Sequence, residues 1–148
     1  MRHPNQKVME DLLVYTKRYD LKYGHATGAF IVKKDKIIGK AVTTVEKDND
    51  PTSHAELKAI SKACRSLKKD TLRNCYIYTT QEPCPMCAGA MVWAEIKGVV
   101  YGREGRQSWG KLNMKPEIIF KKSQNKIRLH KKFMEKECLD LKKQSMNQ

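Results

Sequence analysis

Two short segments constrain this chain more than anything else in it: His54-Ala55-Glu56 and Pro83-Cys84-Pro85-Met86-Cys87. Each has an ordinary reading alone. Ser53-His54-Ala55-Glu56 fits a capping box, with Ser53 at the N-cap and Glu56 at N3. A single C-x-x-C is a redox pair or half of a metal site. Taken together, with a predicted helix start at each and a strand between them, the segments form a ligand set. One imidazole and two thiols fill three positions of a tetrahedral zinc ion. The fourth stays open for water, which distinguishes a catalytic ion from a structural one.

The spacing suits that chemistry. Cys84 and Cys87, three apart in the first turn of a helix, place their sulfurs on one face. Pro85 fits a helix start, where its missing N–H costs nothing. The helix N-terminus favours thiolate, the form that binds metal, and the backbone N–H groups at the Cys84 end suit an oxygen anion. His54 supplies a neutral nitrogen. Zinc lowers the pKa of a water ligand from 15.7 to about 7. Glu56, two residues from His54, is then placed to take that proton and act as a general acid–base group beside the metal. A closed structural zinc site is the rival reading. It needs a fourth protein ligand, and the nearest spare thiol, Cys75, falls in a predicted buried strand.

Around these segments the pattern alternates. Val8, Leu12, Tyr15 and Tyr19 recur at helical spacing over residues 5–19. Residues 28–33, a turn at Asp35-Lys36 and residues 37–42 read as a hairpin. Asp50-Pro51-Thr52-Ser53 opens a helix whose apolar stripe is Leu57, Ile60, Cys64 and Leu67. Residues 74–80 are rich in β formers and suit a central strand. A helix follows Pro83 to about residue 94, and 98–102 is a short strand. Residues 103–115 read as loop, and 116–123 as helix or strand. Residues 127–130 suit a last strand. A closing helix spans 133–143, with Phe133, Glu137, Cys138 and Leu141 on one side. Strands alternating with helices over 148 residues imply one α/β domain covering 1–148.

Composition bears on partners and compartment. The five cysteines form an odd set, and no secretory start or membrane-spanning run stands out, which leads us to expect a cytoplasmic protein with no membrane partner. The net charge is +14, and residues 111–148 hold +7 of it. A basic helix over about 131–143 is either a phosphate-contacting tail or a solvated face, and the latter is commoner for lysines spread over a helix.

These motifs resemble the cytidine-deaminase superfamily, in the branch of bacterial guanine and guanosine deaminases and tRNA-specific adenosine deaminases. The resemblance is densest over 49–102, in Asp50-Pro-Thr-Ser-His-Ala-Glu56 and Thr79-Thr-Gln-Glu-Pro-Cys-Pro-Met-Cys-Ala-Gly-Ala-Met91. It implies a three-layer α/β/α fold with a five-stranded mixed sheet, a homodimer, Zn2+ on His54, Cys84 and Cys87, and Glu56 as proton shuttle. Ala63-Cys64, Pro85 and Trp93 are similar to guanine deaminases, where the tryptophan shapes the base pocket. Val99-Val-Tyr-Gly102 also suits the tRNA branch. Two positions depart from the pattern. Thr43 stands where the family has a base-gripping Asn, and Ala26-Thr27 stands where guanine deaminases have Pro-Phe. The guanine deaminases' Gly-Phe-Asp stretch near the C-terminus is also missing. The candidate substrate contacts are therefore Thr27, Thr43, Ala55 and Trp93. The expected substrate is an aminopurine, guanine-like, as base or nucleoside. Adenosine in tRNA is the alternative, and a cytosine-type or unusual heterocycle a further one.

Overall fold

The computed structural model describes residues 1–20, 23–105, 112 and 114–146. Among them, a five-stranded sheet runs in the order β2-β1-β3-β4-β5. The strands are β1 (Gly28–Lys33), β2 (Lys36–Val42), β3 (Cys75–Gln81), β4 (Gly98–Arg103) and β5 (Arg128–His130). β1 is antiparallel to both β2 and β3, whereas β3, β4 and β5 are mutually parallel. The helices are α1 (Gln6–Asp20), α2 (Val45–Asp48), α3 (Ala55–Leu67), α4 (Pro85–Trp93), α5 (Pro116–Lys122) and α6 (Glu135–Met146).

Strand alternation sorts the chain into three layers. Ala29, Ile31, Ile77 and Val99 face a core shared with α3, α4 and Phe120 of α5. Phe30, Val32, Tyr76, Tyr78 and Val100 face a second core with Val8, Met9 and Leu12 of α1 and Cys138 of α6. The sheet is therefore covered on both faces, and the expected three-layer α/β/α architecture is observed.

Several expectations are corrected. The face of α3 that meets the sheet is Ala55, Ala59 and Ala63, all fully buried, while Leu57, Ile60, Cys64 and Leu67 pack at the margin. β2 lies too close for larger residues, because a Cβ on Gly39 would stand 2.5 Å from the Ala59 carbonyl oxygen. Tyr19 is exposed at the end of α1. The ambiguous segment 116–123 forms α5, with Pro116 in its first turn. Short α2 had no sequence signal. Arg103, read as loop, ends β4 and is buried; residues 106–111 and 113 of that loop lie outside the described residues. α6 starts at Glu135, so Lys131 and Lys132 precede the basic helix, and Glu137 is exposed beside buried Cys138 and Leu141.

The topology also says where a site must form. With β1 antiparallel to both neighbours, the C-terminal ends of β2, β3 and β4 and the N-terminal end of β1 share one edge. Gly28 lies opposite Val42, and Gln81 opposite Arg103. Ligands of open α/β sheets bind outside the carboxyl ends of strands. Thr27, Thr43, Gln81 and Arg103 all stand at that edge.

Candidate metal centre and cleft

Two helices begin at this edge and carry the residues that could hold a metal. His54 is the N-cap of α3, with extended backbone angles, so the capping-box register is not adopted: Ser53 precedes the cap and His54 makes no side-chain cap bond. Cys84 is the N-cap of α4, followed by Pro85. It thus stands at the end where a helix leaves its N–H groups without helical partners, and Cys87 lies one turn on.

The three side chains converge. His54 Nδ1 is 3.6 Å from Cys84 Sγ and 3.5 Å from Cys87 Sγ, and all three ligand atoms lie within 4.8 Å of one another. Tetrahedral bonds of about 2.3 Å to sulfur and about 2.0–2.1 Å to nitrogen separate N from S by about 3.5 Å. Both N–S distances therefore match those expected of a zinc site. Among the described residues, no other group of three His, Cys, Asp or Glu offers such a cluster.

The three groups act strongly on one another, and the shift favours the metal-binding form at Cys84. The hydrogen bond from Cys87, joined by His54, pulls the Cys84 thiol down to about 4, against the effect of burial. The Cys84 thiolate in turn drives the Cys87 thiol well above its ordinary value. His54 is raised, chiefly through its hydrogen bond with Cys84. Glu56 is 3% exposed, and its Oε1 has no hydrogen-bond partner. Burial pushes its carboxyl up to about 7, and the nearby Cys84 thiolate adds to the shift. A buried, unpartnered carboxylate oxygen beside a ligand set is costly unless it has work to do there.

The cluster opens into a cleft of about 250 Å³ lined by residues that include His25, Thr27, Thr43, Gln81, Glu82 and Lys142. Thr43 and Thr27, both named from sequence, line it. Thr43 Oγ1 accepts the Ala55 N–H at 3.1 Å, so buried Ala55 is joined to the wall and is not itself open to the cleft. Thr27 Oγ1 donates to the His25 carbonyl at 3.1 Å. Trp93 ends α4, at the far end from Cys84, and is 86% exposed. About 9 Å of helix rise separates it from Cys87, and it does not line the cleft.

Sequence reasoning missed His25, Gln81, Glu82 and Lys142. Gln81 and Glu82 directly precede the cysteine motif, which was a usable signal. His25 and Lys142 reach the cleft from loop and α6, and no sequence pattern ties them to it. Glu82 is 2% exposed, its Oε1 accepting from the Gly105 N–H and Lys115 Nζ and its Oε2 from the Tyr101 hydroxyl, each at 3.1 Å. It anchors the turn that delivers Cys84.

The sequence profile of the MafB19-like deaminase family matches residues 5–141. A guanine deaminase of Bacillus subtilis is 49% identical over 81 residues, covering 55% of this chain and 52% of that protein's own length. A tRNA-specific adenosine deaminase of Buchnera aphidicola from Schizaphis graminum is 37% identical over 114 residues, 75% of this chain and 73% of that protein. The solved guanine deaminase of Nitrosomonas europaea superposes with a TM-score of 0.83 at 18% identity, covering 95% of this chain and 83% of that one. At that identity the likeness speaks for the fold.

Proposed function

This chain belongs to the MafB19-like deaminase family, and on that premise we propose that it is a zinc-dependent hydrolytic deaminase of an aminopurine, guanine-like, as free base or nucleoside. The reaction replaces a ring C–NH2 by C=O with water and releases ammonia. The observation that carries this reading is the convergence of His54, Cys84 and Cys87 beside buried Glu56, whose Oε1 has no partner, in the lining of the cleft.

His54, Cys84 and Cys87 would hold the zinc. When bound, it acidifies water to near-neutral pKa and so supplies a nucleophile at physiological pH. Glu56 Oε1 would take one proton from the attacking water and pass it to the ring nitrogen adjoining the attacked carbon, then take the remaining proton of the added hydroxyl and pass it to the departing amine. Burial suits the carboxyl to this exchange, because it disfavours a permanently charged form. Thr43 and Thr27 hydroxyls and the Gln81 amide offer base-edge hydrogen bonds. The cleft is smaller than the usual range for drug-sized ligands, which suits one heterocycle.

Adenosine in tRNA is the second reading. The Buchnera relative favours it, as does the charge of +14. Ammonia release across free bases, nucleosides and tRNA decides between them. Guanine or its nucleoside turned over far faster than tRNA adenosine supports the first; inosine formation in tRNA alone supports the second. Zinc absent from the purified protein, or retained in full by a Cys84→Ala, Cys87→Ala double variant, overturns both.

The chain works as a homodimer. Met86, Ala90 and Trp93 recur at helical spacing on α4, with Met86 38% and Trp93 86% exposed, and Gly89 faces open space. An exposed apolar stripe of this kind supports the homodimer reading. Five unpaired thiols suit the reducing cytoplasm. Among the described residues, no helix is long and apolar enough to cross a membrane.

A further inference from the structure

The loop before β1 is held in a conformation that its sequence disfavours. Ala26 has φ 54°, a left-handed backbone that a Cβ makes costly. It persists because five separate parts of the fold bind this loop. The Asp20 carboxylate at the end of α1 accepts the Ala26 N–H. Thr80 Oγ1 of β3 donates to the Ala26 carbonyl at 2.8 Å. The Thr43 N–H, just after β2, donates to the Thr27 carbonyl at 3.1 Å. Lys142 of α6 donates to the His25 carbonyl at 3.5 Å. Arg103, at the end of β4, completes the set.

Arg103 differs from the other four because it also joins the loop to the opposite wall. It is 2% exposed. Its Nη2 donates to the His25 carbonyl at 3.3 Å, to Thr27 Oγ1 at 3.2 Å and to Gln81 Oε1 at 2.9 Å. Its Nε donates to the same Gln81 oxygen at 3.1 Å, and Nη1 to the Cys138 carbonyl at 3.3 Å. His25, Thr27 and Gln81 all line the cleft. One planar guanidinium therefore holds two cleft side chains, Thr27 and Gln81, and the His25 carbonyl, and ties them to α6. Strained backbone that its surroundings over-determine is a mark of a functional constraint. A lysine carries the charge but lacks the fork that makes these bonds together.

We propose that Arg103 is the positioning residue of the cleft, holding the strained His25-Ala26-Thr27 loop and Gln81 where they contact substrate. This rests on the deaminase reading for its substrate, but not for its structural claim. The test compares wild type, Arg103→Lys, Arg103→Met and Thr27→Val, each loaded with zinc. Steady-state ammonia release from guanine is measured, with zinc content and amide hydrogen exchange across residues 23–28. The expected result is KM raised about tenfold or more in both Arg103 variants, with kcat changed far less and zinc retained. Thr27→Val reproduces part of the KM rise. Exchange at Ala26 and Thr27 quickens about tenfold in both Arg103 variants while that of β3 stays the same. KM and loop exchange both unchanged in Arg103→Lys overturn the proposal. So does a parallel loss of zinc, kcat and β3 protection, which marks a residue that only supports the fold. Should Arg103→Met fail to fold, the lysine variant and Thr27→Val decide. A wild type that deaminates nothing removes the deaminase reading, and the exchange measurement alone then decides the role of Arg103.

Discussion

Glu56 shows how one residue can satisfy two local patterns while the structure admits one. In sequence it sits where a capping-box acid belongs. In the fold His54 takes the N-cap, so Glu56 is pulled into the buried space beside the thiols, and its Oε1 is left without a partner. A cap residue is exposed and replaceable; a buried carboxylate with one oxygen unpartnered is neither. Glu56→Ala is therefore expected to keep its zinc and lose ammonia release by about 100-fold or more, the usual contribution of a positioned acid–base group. Paired metal analysis and steady-state rates check this, and a variant as active as the wild type would make Glu56 structural only.

The packing of α3 on β2 is a property of the pair of elements. Its inward residues are alanines, and Gly39 on β2 lets the helix backbone approach. An added Cβ meets the Ala59 carbonyl oxygen at 2.5 Å and the Ala63 Cβ at 3.1 Å. The first obstacle is backbone and cannot rotate away, so the helix must shift outward. Gly39→Ala is expected to cost about 1–3 kcal/mol in denaturant unfolding, the range for overpacked cores. Because His54 caps this helix, weaker zinc retention should accompany the loss. An unfolding midpoint equal to that of the wild type would show slack between helix and strand.

For the molecule as a whole, assembly and charge are the open dimensions. With Met86 and Trp93 at the proposed interface, Met86→Lys with Trp93→Lys should shift sedimentation from dimer to monomer at micromolar concentration; a wild type already monomeric there would end the dimer reading. The lysines after residue 130 divide by position. Lys131 and Lys132 pair with Glu117 and Glu104 at the surface, each at 3.1 Å, and exposed pairs contribute little. Lys142 instead lines the cleft. Neutralising Lys131 and Lys132 is thus expected to leave guanine turnover unchanged and flat with salt, since an uncharged base releases no counterions. Inosine formation in tRNA that falls on the same change would place those lysines on a phosphate path.

By itself the sequence determined which histidine and cysteines come together, and most of the succession of elements. Ligand spacing follows from helix geometry, and strand and helix periods differ enough to be read locally. Hence His54, Glu56, Cys84, Cys87 and the succession of strands and helices were legible. Only the tertiary structure decided which faces meet, because sequence shows that a stripe is apolar but not how near its partner can come. Alanines 55, 59 and 63 won the inward side of α3 through Gly39 on another element. The cleft wall is a non-local matter for the same reason. Arg103 reaches residues near 25, 81 and 138, and His25 and Lys142 meet across a sequence separation of 117. Trp93 has the family's position but not a place in its own chain's cleft, since helix rise carries it away from the cysteines. Contacts between distant segments depend on sheet order, and sheet order is fixed by the competition among all pairings at once.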